Sequence, residues 1–154
     1  MKTILVIGPV TRRAGYGEQA RFALRSLRAH EDRFNILIQD IAWGKSGQVS
    51  EDSEEQRYIR KTIAKTHQHV EQGLPIDISL QVTIPNEFKK YAPVNIGYTA
   101  GIETTRVSPQ WIEQSALMDK IILVSNHSKD VYEKTSYEGT NNQTGEQVII
   151  KTQV

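Results

Sequence analysis

The chain has 154 residues, 38% hydrophobic and 24% charged, with a formal net charge of +1. That length supports one domain with a real core, and the near balance of charge excludes bulk electrostatic attraction to nucleic acid or to an anionic membrane. The absence of cysteine excludes disulfides and thiolate metal sites and suits a reducing compartment. There is no basic leader with an apolar core, and no apolar run is long enough to span a bilayer. A cytoplasmic protein without a transmembrane segment is expected.

Residues 2–7, KTILVI, form an almost unbroken apolar run, the pattern of a parallel strand buried on both faces. Gly8-Pro9 stops it, and a polar loop leads to a helix expected over about residues 17–29. Ala20, Ala23, Leu24 and Leu27 make the inner stripe of that helix, with Arg21, Arg25 and Arg28 toward the outside. Residues 34–41 read as the second strand and 43–47 as a loop. Ser53 with Gln56 three positions on resembles a capping box. The helix it opens runs to about residue 72, with Ile59, Ile63, Thr66 and Val70 inward and an acidic start that suits the macrodipole. Gly73-Leu74-Pro75 ends it. Residues 76–84 and 94–99 are the third and fourth strands, the latter followed by a loop over 100–107.

Ser108-Pro109 combines a capping hydroxyl with proline at the first helical position, and opens a helix carrying Trp111, Ile112 and Leu117 to about residue 119. Residues 120–124 form the fifth strand, and Ser125 or Asn126 caps a helix to about residue 135. The alternation predicts an α/β fold: a Rossmann-like, doubly wound, mostly parallel sheet with flanking helices. A turn-rich stretch, 139–145, and a strand-like run, 146–154, break the alternation and predict a hairpin or extension. The division expected is a lobe over residues 1–138 and an extension over 139–154, with the chain truncated before a further unit.

Three stretches carry candidate chemistry. Gly15-Tyr16-Gly17-Glu18-Gln19-Ala20 matches G-x-G-x-x-A, and Asp40 follows Ala20 by twenty residues at the end of the second strand, where a ribose-binding acid would stand. Yet residues 9–14 separate Gly8 from Gly15, whereas a dinucleotide fingerprint follows its strand at once. The run is therefore either a glycine-eased joint between loop and helix or a loop touching phosphate or sugar. Arg12 and Arg13 in the same loop suit phosphate or carboxylate, and are otherwise solvated. Glu103 and Arg106 follow the fourth strand, and ligands of open α/β sheets sit beyond the carboxyl ends of strands. The bland alternative for them is helix capping or an ion pair. Ser125-Asn126-His127-Ser128 could hold an anion at a helix start or simply cap it. His67 and His69, two apart on a helix, point in different directions and are poor metal ligands.

Together these stretches resemble a known family. Ala14-Gly15-Tyr16-Gly17, then Gly101-Ile102-Glu103-Thr104 with Ser108-Pro109-Gln110-Trp111, then Met118-Asp119-Lys120 leading to Ser125-Asn126-His127-Ser128, resemble nucleotide-sugar glycosyltransferases of the two-lobed GT-B type, the group called family 4 or group 1. The resemblance covers nearly all of residues 1–138. It implies an amino-terminal, acceptor-side lobe of an enzyme that moves a sugar from an NDP-sugar to a sugar, lipid or protein acceptor. It also implies no metal and a second, donor-binding lobe that this chain lacks, so that the chain alone would not turn over. Carried across, Gly15, Tyr16 and Gly17 with Arg12 and Arg13 would approach the donor phosphates or acceptor. Glu103 would stand near the reacting centre as the catalytic candidate, and Arg106, Ser125 and Asn126 would border the cleft. One departure is plain: many relatives have a histidine at the end of the fourth strand, where this chain has Thr99-Ala100-Gly101. A nicotinamide-dependent oxidoreductase domain and a non-catalytic α/β binding module are the alternatives. Gly17→Val is expected to weaken ligand binding and leave the fold largely intact.

Overall fold

A computed structural model describes residues 1–101 and 104–151. Five parallel strands, β1 (Lys2–Gly8), β2 (Phe34–Asp40), β3 (Ile78–Val82), β4 (Val94–Thr99) and β5 (Lys120–Leu123), form one sheet in the order β2-β1-β3-β4-β5. The helices are α1 (Gly15–Arg28), α2 (Glu54–Glu71), α3 (Pro109–Ser115) and α4 (Asn126–Lys134), with a single 3-10 turn at Pro85–Glu87. A two-stranded antiparallel hairpin, β6 (Tyr137–Thr140) with β7 (Gln147–Ile150), ends the described chain. This is the Rossmann-like doubly wound fold expected. β3 follows β2 in the chain but lies on the far side of β1, which puts the topological switch point between β1 and β3. No helix of the described residues is long and apolar enough to cross a membrane.

Strand alternation separates two faces. On one, Ile4, Val6, Ile36, Ile38, Leu80 and Val82 meet Ala20 and Leu24 of α1 and Ile59 of α2. On the other, Leu5, Ile7 and Leu37 form a smaller cluster, while Ile121 and Leu123 of β5 pack against Phe88 and Met118. Leu123 also reaches Ile112 of α3 and Val131 and Tyr132 of α4. α2 closes the exposed edge of β2: Thr66 Oγ1 accepts the Ile38 amide at 2.8 Å and Lys65 Nζ donates to the Ile36 carbonyl at 3.2 Å. A strand edge covered in this way cannot template another chain. The fourth turn of α2 is therefore spent on the sheet edge, and Val70, expected inward, is 60% exposed.

Between β3 and β4 there is no α-helix, only the 3-10 turn at Pro85–Glu87. Residues 85–93 instead rest on a buried polar network. Gln81 Nε2 donates to the Lys89 carbonyl and Gln81 Oε1 accepts the Lys89 amide. Asn95 Oδ1 accepts from Ser79 Oγ and from the amides of Tyr91 and Ala92, while its Nδ2 donates to the Ala92 carbonyl. Both side chains are almost fully buried. Phe88 seals the segment by packing against Gly97, where any Cβ would sit 2.5 Å from the tip of the ring.

Each predicted serine cap is present: Ser53, Ser108 and Ser125 accept the amides of Gln56, Trp111 and Ser128. Boundaries moved by a few residues. α1 begins at Gly15 rather than 17, α3 ends at Ser115 rather than near 119, and β3 is shorter than the run 76–84. The hairpin begins at Tyr137, so the extension starts before residue 139. It is fastened to the body by Tyr137 Oη, which donates to the Val107 carbonyl, and by Tyr137 and Ile150 against the Val107 cluster.

Candidate functional site

The loop between β1 and α1 is the organising feature of the carboxyl end of the sheet. Asp40, at the end of β2, holds its start: Oδ1 accepts the Thr11 amide at 3.1 Å and Oδ2 accepts the Thr11 hydroxyl at 2.6 Å. Both carboxylate oxygens are thus engaged with protein, a structural tie that accounts for the acid at position 40 without a ligand. Residues 46–50 flank the loop. Arg13 N donates to the Gly47 carbonyl, Val49 N to the Thr11 carbonyl, and Arg12 pairs with Gln48 in an isolated antiparallel bridge.

Arg21, expected on the outer face of α1, is only 7% exposed. Its Nη1 donates to the carbonyls of Val10 at 2.9 Å and Arg12 at 3.0 Å, while Nε and Nη2 grip Glu18 Oε2. The hydrogen bond from Arg21 holds the Glu18 carboxyl below its ordinary range. The loop turns back over α1 so closely that the guanidinium fork closes on it from the helix. A lysine has no such fork. Arg21→Lys is expected to cost about 1–3 kcal/mol and to accelerate hydrogen exchange at the Arg13 and Val49 amides. Unchanged exchange there would show that the loop does not depend on Arg21.

Gly17 is part of the same closure. A Cβ there would lie 2.2 Å from the Arg12 carbonyl oxygen and 2.9 Å from that of Pro9. The expectation that Gly17→Val spares the fold is therefore corrected: Gly17 is needed for backbone packing, whatever its role toward a ligand. Gly15 differs, because a Cβ there would meet nothing within 4 Å. Gly15, Tyr16 and Gly17 form the first turn of α1, whose preceding residue Ala14 offers no side-chain cap.

Tyr16 joins the first loop to the fourth strand. Its hydroxyl lies 2.8 Å from Thr99 Oγ1 and accepts the Ala100 amide at 3.2 Å. Its ring packs against Trp43, with centroids 4.7 Å apart and planes tilted by 42°. Beside this pair, residues after β2 and β3 line an open cleft of about 470 Å³ that includes Trp43, Thr83 and Glu87. It lies next to the β1/β3 switch point, where the topology places a ligand.

The other predicted residues fall as follows. Arg12 donates to the Ser46 carbonyl and Arg13 to Ser50 Oγ, so both guanidinium groups are used to join two loops. Arg106 lies over the Tyr137 ring of the hairpin, its guanidinium carbon 4.5 Å from the centroid. Ser125 caps α4, taking the Ser128 amide at 3.1 Å, and Asn126 is the exposed first residue of that helix. Gly101 adopts φ +81° with Ser128 Oγ 2.3 Å from where a Cβ would stand, so the loop after β4 lies directly on the start of α4. Glu103 lies outside the described residues, as does Ile102. Asp119 sits at the opposite end of β4, its Oδ2 accepting the Asn95 amide at 2.7 Å, and is structural. Among the described residues no three or more histidine or acidic side chains converge as a metal site.

Sequence reasoning missed Arg21, Trp43 and Thr83. Nothing local marks the first, since an arginine in an Arg-rich helix reads as solvated. Trp43 was visible as an aromatic stranded in a polar loop. No family model, no curated protein and no solved structure matches this chain.

Proposed function

We propose that this chain is the acceptor-side lobe of a nucleotide-sugar-dependent glycosyltransferase of the GT-B type, transferring a sugar from an NDP-sugar to an acceptor hydroxyl. The observation that carries the reading is the Tyr16 bridge: it ties the glycine-bearing start of α1 to Thr99 and Ala100 at the end of β4. The two stretches that resemble the family thereby converge on one end of the sheet, beside the switch point. The first turn of α1 lacks a side-chain cap, and its free N–H groups with the positive dipole end suit a diphosphate. The open space at Gly15 lets a ligand approach that backbone. In this reading Glu103, which lies outside the described residues, is the catalytic candidate that the resemblance implies. The bond from the anomeric carbon to the diphosphate oxygen breaks as the acceptor oxygen bonds to that carbon, and the acceptor proton passes to a base. The remaining wall of the site belongs to a second lobe.

The dinucleotide alternative draws less support, because Asp40 is held by Thr11 at both oxygens. Thermal shift with UDP-glucose, GDP-mannose and NADH separates the two. A nucleotide sugar is expected to stabilise the chain, and Gly15→Val is expected to abolish that stabilisation while leaving the unliganded melting temperature within about 2 °C. Stabilisation by NADH alone would reverse the assignment, and an undiminished shift in Gly15→Val would remove the loop from the site.

A further inference from the structure

The geometry points to the class of acceptor: we infer that the cleft beside Tyr16 takes an uncharged, hydroxylated ring such as a glycoside, stacked on Trp43, and not a phosphorylated or otherwise anionic acceptor. The inference rests on the glycosyltransferase reading for the role of the ligand, and on four observations of the cleft itself.

The first is size. About 470 Å³ holds one or two sugar rings and is at the small end of ligand pockets. The second is a fixed aromatic wall. Trp43 packs on Tyr16, whose hydroxyl is in turn held by Thr99 and Ala100, and the Trp43 carbonyl accepts both the amide and the hydroxyl of Ser46. The indole is thus positioned before any ligand arrives, which removes an ordering cost from binding. The C–H face of a sugar ring presents partial positive charge to the negative face of an aromatic ring.

The third observation is charge. The lining includes Ile41 and Ile84 and contains no lysine, arginine or histidine; Glu87 supplies its one formal charge. Glu87 has no ion-pair partner among the described residues. A carboxylate accepts hydrogen bonds from ligand hydroxyls and repels a phosphate, so the wall selects against anions. Arg21 is turned to backbone carbonyls and Glu18, and Arg12 and Arg13, which donate to the Ser46 carbonyl and Ser50 Oγ, are not part of the lining.

The fourth is Thr83. It follows β3 at the switch point, is 2% exposed, lines the cleft, and its Oγ1 has no hydrogen-bond partner among the described residues. An unsatisfied buried hydroxyl costs free energy. The Thr83 side chain lines the cleft, and a ligand hydroxyl that displaces the cover over Oγ1 would supply the missing partner.

The test uses the 154-residue chain carrying Trp111→Phe, so that tryptophan emission reports Trp43 alone. Methyl α-glucoside, methyl α-mannoside and methyl β-galactoside are titrated against glucose 6-phosphate, with UDP-glucose and GDP-mannose in parallel thermal-shift runs. At least one methyl glycoside is expected to shift Trp43 emission with millimolar affinity, at least about tenfold tighter than the phosphosugar. Thr83→Val is expected to weaken that affinity about tenfold or more while holding or raising the melting temperature. A purely structural Thr83 would give the reverse pattern. Glu87→Gln is expected to narrow the gap between glycoside and phosphosugar. Equal or tighter binding of the phosphosugar, no shift with any glycoside, or full affinity in Thr83→Val would overturn the inference. If the nucleotide sugars still stabilise the chain in that event, only the acceptor class fails. If glycosides bind and nucleotide sugars do not, the cleft stands as a carbohydrate site and the diphosphate role given to the start of α1 fails.

Discussion

Gly17→Val is expected to be among the most destabilising single changes in this protein, costing about 3 kcal/mol or more. The reason is backbone against backbone. The Arg12 carbonyl oxygen lies 2.2 Å from the position a Cβ would take, and the Pro9 oxygen 2.9 Å. Neither can swing aside as a flexible side chain would. The Arg12 oxygen is also held by Arg21 Nη1, so relief requires breaking that bond and lifting the loop from α1. The same movement would strain the Thr11 contacts with Asp40 and the pairing with Gln48. Urea unfolding is the measurement, and Gly17→Ala should already lose most of the stability because the first carbon makes the clash. Gly15→Val is the internal control, since its Cβ projects into open space. Equal stability of the Gly17 and Gly15 variants would show that the loop does not pack on the helix as described.

Asn95→Ala is expected to cost about 2–4 kcal/mol. One buried amide side chain satisfies Ser79 Oγ at 2.8 Å, the Tyr91 and Ala92 amides at 2.9 and 3.1 Å, and the Ala92 carbonyl at 2.7 Å. Its removal leaves the Ser79 hydroxyl without an acceptor in a closed interior and frees the 85–93 segment from β4. Partly satisfied polar networks are worse than apolar ones, so Asn95→Leu should be no better tolerated, despite its similar volume. Asn95→Asp keeps the acceptor and loses the donor to Ala92, and should be intermediate when read by urea midpoint. The consequence reaches the cleft, because the 85–93 segment begins at the wall that carries Glu87. A loss below about 1 kcal/mol for Asn95→Ala would mean that the segment is held by Phe88 and Gln81 alone.

The two cases differ in how visible they were beforehand. Gly17 stood out as a glycine at a helix start, open to reading either as a backbone joint or as a ligand contact, and the structure shows a neighbouring carbonyl that requires it. Asn95 gave no signal at all. Ser79, Gln81 and Asn95 read as polar interruptions of apolar strands, and their partners lie in a coil that has no periodicity to detect. Arg106 shows the same limit in reverse: its place beyond β4 suggested the cleft, and its contact is with Tyr137, thirty-one positions on.

What the amino-acid order determined on its own is whatever depends on near neighbours and on periodicity. The strand-helix alternation, the three serine caps, Pro109 at a first helical position and the terminal hairpin all follow from interactions within a few residues, so local chemistry specifies them. Only the tertiary structure decided that Arg21 is buried, that Asp40 serves Thr11, and that Tyr16 reaches Thr99 and Trp43. Each of those contacts closes a long loop of chain or reverses a solvent exposure that composition would assign. A side chain with several possible partners takes the one that the packed sheet brings within reach, and that choice exists only once the strands are in register.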